Sequence, residues 1–477
     1  MSRRPLALAL AAVVGSAALL PLTASAEDLM QTYELARAGD PQFSAAESTR
    51  DATKEGAVQA RAAMLPQIDG TATISKSRSK GPATETQRDP TTGEFIQFTG
   101  EVDSDTTTRR LGVDVTQMVF YRSRFTTLRS QNALGRASDF TLEAAGDTLI
   151  TRTSAAYFNV LIAIETLAAA EAQEAALKKQ FDFADKRLEV GLAPITDVHE
   201  ARAQYDSARA NTIVTRNALA DAYQALAEIT GQTIESLKAL PDDFQPALPS
   251  EQDAEAWVAT ALGNNPNLAA LEQEVAAANA DVETARSGHW PTLYLSGGYG
   301  DNRTTGDSSF SSGAFSATNP IENESRGPNI GLTLSVPIFS GGATQSRVRQ
   351  AIAHRDVRAD QYEQQRRAVV RNTRNAYQSL LAGISEVEAR RLALVSAQAA
   401  YDASQVGLEV GTRTVLDVLN NQQTLFNAQR EYARAKYNFL QTRLTLEQSA
   451  GTLDGSDVQD VNRLLTVDTS VNAALAP

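Results

Sequence analysis

The chain has 477 residues and a formal net charge of −13, with 44 basic side chains against 57 acidic ones. This acidic balance argues against a nucleic-acid partner, because phosphate binding requires clustered Lys and Arg. Cysteine is absent, so an exported form must be held together by packing or by oligomerisation rather than by disulfides.

The first 26 residues predict a secretory signal peptide. A basic start precedes the apolar run Leu6–Leu22 and the cleavage motif Ala24-Ser25-Ala26. The alternative is a membrane anchor, but the run is short and Pro21 interrupts it. No other stretch approaches the ~20 continuous apolar residues of a membrane helix, so membrane contact is expected from strands or from a partner.

The rest of the sequence contains an internal duplication. Pro41 and Pro66 return 225 residues later as Pro266 and Pro291, and farther along the displacement is 220, as from Gly191 to Gly411. Halves of about 200 residues far exceed a solenoid repeat, so a whole structural unit is duplicated. The predicted repeats span residues 27–240 and 241–452, and a polar tail follows over residues 453–477.

Each predicted repeat opens with two short helices and continues with two strands. The predicted helices are Leu29–Ala38 and Gln42–Met64 in the first half, and Ala254–Gly263 and Asn267–Arg286 in the second. Apolar and polar residues then alternate over Ile68–Ser75, Leu111–Thr116, Thr292–Leu295 and Ile330–Val336. This period of two is typical of strands in an outer-membrane barrel, and equally of a soluble β-hairpin domain.

Between the strands of each pair, the segments Ser77–Thr107 and Gly300–Arg326 are rich in small polar residues, which predicts exposed hairpin loops. Four strands per chain cannot close a membrane barrel, because the smallest known have about eight. Either the sheet is open and soluble, or several chains share one barrel.

A very long helix is predicted after each strand pair. Proline is absent from residue 91 to residue 193 and from residue 338 to residue 476. The first helix, Tyr121–Val190, would be about 105 Å long at about 1.5 Å per residue, so it must pack against other rods. The predicted buried stripes are Ile150, Tyr157, Leu161 and Ile164 in the first copy, and Val370, Tyr377, Leu381 and Ile384 in the second.

Each long helix is predicted to end in a tight turn, within LEVGLAPITDV and LEVGTRTVLDV. Glycine after a helix supplies a left-handed conformation, and Pro194 prevents continuation in the first copy. Thr196 or Asp197 is expected to cap the returning helix, and Asp417 to do so in the second copy. On this pattern alone, the turns are plain αα-hairpins.

A catalytic, cofactor or metal site is not predicted. The three histidines, His199, His289 and His354, fall in different predicted elements, and no cysteine is available as a nucleophile.

The sequence resembles the TolC-like outer-membrane efflux proteins from Asp28 to about Leu453. The most specific segments are VGLAPITDV with ARAQYDSARA, and VGTRTVLDVLNNQQTLFNAQREYARAKYNFL. The resemblance implies an α+β membrane protein that forms a homotrimer embedded in outer-membrane lipid. Three chains would share one twelve-stranded β-barrel, continuous with a long α-helical coiled-coil barrel in the periplasm. The polar tail and the segment Thr233–Ser250 would form a belt around this cylinder.

The function implied by the resemblance is a passive exit duct of a tripartite efflux pump or a type I secretion system. A periplasmic adaptor (membrane fusion) protein would connect it to an inner-membrane RND, ABC or MFS transporter. The docking tips would be Val190-Gly191-Leu192 and Val410-Gly411-Thr412. The alternative is an extracytoplasmic coiled-coil scaffold without a pore.

The resemblance also implies a gate at the tips. Thr196, Asp197 and Arg413 match the family's closing contacts, whereas its tyrosine is replaced by Leu408. Of two acidic ring positions, Asp417 is retained and the second is Asn420. Three Asp417 carboxylates would converge on one axis, and this repulsion is expected to raise the pKa of at least one of them. Because Asn420 replaces the second acidic ring, block by cations is expected to be weaker.

Overall fold

The computed structural model describes residues 27–88, 91–192, 194–241, 243–249, 253–313 and 315–470, so the predicted signal peptide lies outside it. In this part of the chain the helices are α1 (Leu29–Gly39), α2 (Pro41–Ala62), α3 (Arg122–Glu189), α4 (Ile195–Thr230), α5 (Ala254–Asn264), α6 (Pro266–Arg286), α7 (Ala343–Glu409), α8 (Val415–Ala450) and α9 (Gly455–Asn462). The strands are β1 (Gln67–Arg88), β2 (Phe95–Phe120), β3 (Ser236–Ala239), β4 (Thr292–Ser312), β5 (Phe315–Ser335) and β6 (Val467–Ser470).

The order of elements is the same in both halves. Two short helices, two long strands, a very long helix and a returning helix occur as α1-α2-β1-β2-α3-α4 and again as α5-α6-β4-β5-α7-α8. Helix α3 has 68 residues and each of its ends lies one residue from the predicted one, while α7 has 67 residues. Long proline-free segments therefore form single helices, as their composition predicts.

The described residues form two compact units, and each unit draws on both halves. Unit 1 contains the described residues of Met1–Arg50, Asp139–Ala270 and Tyr362–Pro477. Unit 2 contains Asp51–Ser138 and Leu271–Gln361, and with them the four long strands.

The four strands of unit 2 form an antiparallel sheet in the order β1-β2-β4-β5. The predicted polar loops were wrong, because backbone pairing continues through them to Arg88↔Phe95 and to Ser312↔Phe315. Cross-strand ion pairs stabilise these polar extensions, and polarity alone had suggested a loop. On β1 and β2 they are Lys76–Asp105 at 3.2 Å, Arg78–Asp103 at 2.7 Å and Lys80–Glu101 at 3.0 Å.

The sheet of unit 2 has one apolar face. Side chains at paired positions of neighbouring strands point to the same face, so the apolar positions of the four strands fall on one side. This apolar face carries Ile68, Ala72, Ile74, Leu111, Val113, Val115, Leu295, Tyr299, Ile330, Leu332 and Leu334. Most of its large side chains are exposed, and Ile330 has 82% of its surface accessible. The opposite face carries Asp69, Thr73, Asp114, Ser296 and Thr333.

The core of unit 1 lies along α3 and α8. Tyr157 and Tyr437 are fully buried there, and the Tyr157 hydroxyl accepts from the Lys238 backbone N–H at 2.9 Å. The predicted stripe on α3 is confirmed for Ile150, Tyr157 and Leu161, whereas Ile164 is half-buried.

The predicted stripe on α7 was one residue out of register. The buried residues of that helix include Val369, Ala376, Leu380 and Val387, and the predicted residues Val370, Tyr377, Leu381 and Ile384 are half-buried beside them. One residue is about 100° around a helix, so sequence spacing finds the apolar side but not its centre.

The two segments predicted as a belt pair with each other in unit 1. Strand β3, from the segment between the repeats, pairs antiparallel with β6 of the C-terminal tail. Glu27 forms a parallel bridge to Leu237 on β3. Helix α9 buries Val458 and Val461, so the tail is largely folded up to Ser470.

Helix α3 contains a window that is long and apolar enough to cross a membrane by length and composition. The sequence prediction that no such stretch exists beyond the signal was therefore too strict. However, 56% of that window is buried inside the chain, as expected for a helix that packs in a protein core.

Candidate functional site at the helical hairpin tips

The first tip, residues 189–195, reverses the chain between α3 and α4. Gly191 adopts φ +74°, the left-handed conformation that other residues avoid. Its N–H donates to the Leu188 carbonyl at 2.9 Å, and the Leu192 N–H donates to the Arg187 carbonyl at 2.8 Å. This pair of bonds is a Schellman motif, which satisfies the last carbonyls of the helix.

The second tip, residues 409–415, repeats both Schellman bonds of the first. Gly411 adopts φ +77° and donates to the Leu408 carbonyl at 3.2 Å, while the Thr412 N–H donates to the Gly407 carbonyl at 2.8 Å. The predicted left-handed glycines are confirmed at both tips.

The returning helices begin differently at the two tips. Helix α8 starts with a capping box, in which Thr414 accepts from the Asp417 N–H at 3.2 Å and the Asp417 carboxylate accepts from the Thr414 N–H at 3.0 Å. Helix α4 starts at Pro194, which has no side chain that can cap.

The predicted capping residues were therefore wrong. Thr196 and Asp197 lie inside the first turn of α4, and Asp417 is the third residue of α8 rather than its cap. The signal that could have identified Thr414 is the spacing Thr-x-x-Asp ahead of an apolar run.

The predicted docking residues lie at the surface of the chain. Val190, Leu192 and Val410 each have 68% of their surface exposed, and a side chain added at Gly191 or Gly411 would meet no other atom within 4 Å. Thr412 is also exposed, although its hydroxyl donates to the Gly407 carbonyl at 3.2 Å. Both tips thus expose apolar side chains on a rigid turn.

A cleft of about 670 Å³ separates the two hairpins just above their turns. We call it the tip cleft, and its lining combines apolar with charged side chains. They are Lys179, Gln180, Phe183, Arg187, Leu192, Gln405, Leu408, Glu409 and Gly411. Leu408, the residue that the resemblance aligns with a gate tyrosine, lines this cleft.

Arg413 and Asp417 belong to one small network at the second tip. The bonds from the backbone and hydroxyl of Thr414, with a smaller contribution from the Arg413 charge, hold the pKa of Asp417 below its usual range. Arg413 lies against Gly407, where an added Cβ would be 2.6 Å from the arginine Cγ. Gly407 was not singled out by sequence, because its role depends on this contact.

The other predicted gate residues are exposed or half-buried. The Thr196 hydroxyl donates to the Asp197 carboxylate at 3.4 Å, and Asn420 is exposed on α8. Among the described residues of this single chain, no ion pair joins Asp197 to Arg413. Such a contact would have to form between chains or in another state of the tip.

The histidines give no sign of a catalytic or metal site. His199, His289 and His354 are exposed, and no group of three or more potential ligand side chains occurs among the residues that the structure describes.

The sequence profile of a family described as "Outer membrane efflux protein" matches two segments, residues 32–232 and 257–452. Each match covers most of one half of the duplicated chain. This result agrees with the two copies of the same element order.

Individual relatives match along nearly the whole chain. Outer membrane protein TolC of Escherichia coli (strain K12) is 35% identical, covering 94% of this chain and 87% of TolC. The alkaline protease secretion protein AprF of Pseudomonas aeruginosa is 29% identical, covering 92% and 88%. The Campylobacter jejuni CmeC outer membrane channel has the same fold, with a TM-score of 0.68 and 20% identity over 92% of this chain and 90% of that one.

Proposed function

The chain belongs to the outer membrane efflux protein family, and from this premise we propose that its two tips bind a periplasmic adaptor and close the channel. The protein is an outer-membrane exit duct for efflux or type I secretion. Membership in a family of channel proteins also decides against a pore-less scaffold. The adaptor would connect the duct to an inner-membrane transporter of the RND, ABC or MFS class.

The observation that carries the docking proposal is the pair of matching tips. Two Schellman turns with the same bonds hold Val190 and Val410 at equal exposure. A rigid, exposed apolar residue suits a partner surface, since it loses little conformational entropy on binding. Duplicated tips suit an adaptor that contacts both hairpins in the same way.

The gate is proposed to rest on Asp197 and Arg413, paired between neighbouring hairpins of the assembled homotrimer. The Asp197 carboxylate accepts one long bond from the Thr196 hydroxyl, at 3.4 Å, whereas the Asp417 carboxylate accepts from both the backbone N–H and the hydroxyl of Thr414, at 3.0 and 2.9 Å. Asp197 therefore keeps a carboxylate available to Arg413. Asp417, repeated around the threefold axis, would attract cations to the aperture.

The docking proposal is tested by replacing Val190 and Val410 together with serine. Loss of two valines that the adaptor would cover should weaken adaptor binding about tenfold or more, because burying each side chain on binding contributes roughly 1.5 kcal/mol. Binding of the purified adaptor to the detergent-solubilised duct, measured by surface plasmon resonance, checks this result. Val395→Ser is the matched control, because Val395 is an exposed valine on α7 away from the tips. Unchanged binding by the double variant would remove the tips from the docking surface.

A further inference from the structure

A shallow groove lies on the apolar face of the sheet. It has a volume of about 360 Å³, and Gly70 and Ala72 on β1 form its floor because they have almost no side chain. Leu111, Val113 and Tyr299 line it on β2 and β4. The groove is open and mainly apolar, and Asp301 also contributes to its lining.

Arg109 lies directly beyond this groove on the same face. It is the register partner of Ile74 on β1 and of Arg303 on β4, so two arginines oppose each other across neighbouring strands. Like charges in this arrangement destabilise a sheet, and the Glu322 carboxylate pairs with Arg303 at 2.9 Å but forms no ion pair with Arg109 in the described structure.

Arg109 also differs from the other cations of this face near the groove. Those cations form ion pairs within the chain, namely Lys76–Asp105, Arg78–Asp103, Lys80–Glu101, Arg303–Glu322 and Arg326–Glu324. Within the described residues, no carboxylate lies within 4.0 Å of the Arg109 guanidinium. Asp301, which lines the groove, has Arg326 as its own register partner.

The position of Arg109 along β2 indicates a membrane boundary. Phe120 ends β2 on the side where the chain enters α3, and Arg109 lies eleven residues nearer the hairpin turn. At about 3.3 Å per residue and a tilt of about 40°, this separation is close to the ~25 Å height of a barrel's apolar band. In the outer membrane the apolar face meets lipid, which puts Arg109 at the headgroups of the outer leaflet.

We propose that Arg109, with Arg303, binds a phosphate of the outer-leaflet glycolipid, the lipid A part of lipopolysaccharide, and that the groove holds one of its acyl chains. A guanidinium can donate two parallel hydrogen bonds to a phosphate, and the phosphate would relieve the repulsion between the arginines. Arg303 is positioned for this contact by Glu322, which accepts from one of its nitrogens at 2.9 Å. A phosphate above an apolar groove fits a lipid better than a free anion.

The test measures lipid retention by the purified mature protein in detergent, using native mass spectrometry with added lipid A. Arg109→Gln should weaken lipid A binding about tenfold or more, because it removes the charge-assisted hydrogen bonds to the phosphate. Arg110→Gln is the matched control, because the adjacent side chain lies on the opposite face of the sheet. Gly70→Leu should also weaken binding by filling the groove, and an added Cβ there meets no atom within 4 Å.

Two further lipids distinguish the sources of phosphate and the role of charge. Dephosphorylated lipid A and phosphatidylglycerol should both bind more weakly than lipid A to the wild-type protein. The proposal is overturned if either lipid binds as tightly as lipid A, or if Arg109→Gln and Arg110→Gln behave alike.

Discussion

At the residue scale, Glu447 on α8 is a buried carboxylic acid. Its side chain is 4% exposed, and no hydrogen bond reaches its Oε2 atom in the described structure. Burial raises its pKa to about 7, and the nearby Asp457 charge adds to the rise. Arg443, 3.4 Å away, opposes this shift without overcoming it.

Glu447 should make the fold less stable as pH rises. A group with a raised pKa in the folded state favours the protonated form, so its contribution is complete below pH 4.5 and is lost as pH approaches 7. Glu447→Gln should reduce the fall in unfolding free energy between pH 5 and pH 8, by up to about 3 kcal/mol. Asp147, whose pKa burial also raises to about 7, leaves a residual slope of the same sign.

Thermal denaturation of the purified protein across this pH range, at constant ionic strength, measures the effect. Glu431→Gln on the same helix, at a half-buried site, controls for removing a carboxylate. An unchanged pH slope in Glu447→Gln would show that its carboxyl is already ionised in the fold.

The contact between Gly407 and Arg413 gives a second prediction at this scale. A Cβ at position 407 would lie 2.6 Å from the Arg413 Cγ, so Gly407→Ala must displace the arginine. If Arg413 closes the gate, both Gly407→Ala and Arg413→Ser should raise single-channel conductance in planar bilayers. Gly383→Ala on the same helix, where the nearest atom would be 3.4 Å away, should conduct like the wild type. Wild-type conductance in Arg413→Ser would move the gate to packing between helices.

At the element scale, the twin returning helices differ in how they begin. Thr414 caps α8, whereas the equivalent position in the first half is Pro194. Pro194→Thr would put a hydroxyl three residues before Asp197, the spacing of the capping box. It should stabilise the first turn of α4 by about 1 kcal/mol and bind the Asp197 carboxylate.

If Asp197 pairs with Arg413 in the closed channel, this new cap should compete with the pair and raise conductance. Slower amide hydrogen exchange at residues 195–198 would confirm that the cap has formed. Slower exchange without any change in conductance would separate Asp197 from the gate.

The sequence predicts the ends of the helices better than the lengths of the strands. Helix ends were predicted closely because Gly191 and Gly411 permit the left-handed conformation that ends a helix, and Pro194 restricts the backbone. Strand lengths were not predicted closely. The polar parts of β1 and β2 are stabilised by cross-strand ion pairs such as Lys76–Asp105, whose residues are about thirty positions apart in the sequence. The proposed pairing of Asp197 with Arg413 could not be predicted from the sequence of one chain, because it depends on the neighbouring chains.

At the scale of the whole molecule, the sheet of unit 2 has two open edges, β1 and β5. Unpaired backbone groups cannot remain in lipid, so these edges must pair with those of other copies. Three chains with four strands each would close a twelve-stranded barrel. The purified mature protein should therefore be a trimer.

Engineered cysteines test this closure cleanly, since the chain has none of its own. With Thr71→Cys on β1, one of the variants Asn329→Cys, Gly331→Cys or Thr333→Cys on β5 should crosslink neighbouring copies into a covalent trimer. These positions lie on the polar face of the sheet. A monomer that conducts ions, or crosslinking that stops at dimers in every pair, would contradict the trimer.

The pairing of β3 with β6 has a consequence for the order in which the exported chain can fold. The Thr469 hydroxyl donates to the Leu237 carbonyl at 2.6 Å, across 232 residues of sequence. Strand β3 therefore cannot pair until Val467–Ser470 has crossed the inner membrane. Loop closure over such a distance is slow, so β3 is expected to stay unpaired while the intervening chain is exported. A polypeptide truncated before Val467 would lack this pairing, and we expect periplasmic proteases to cleave it faster than the full chain.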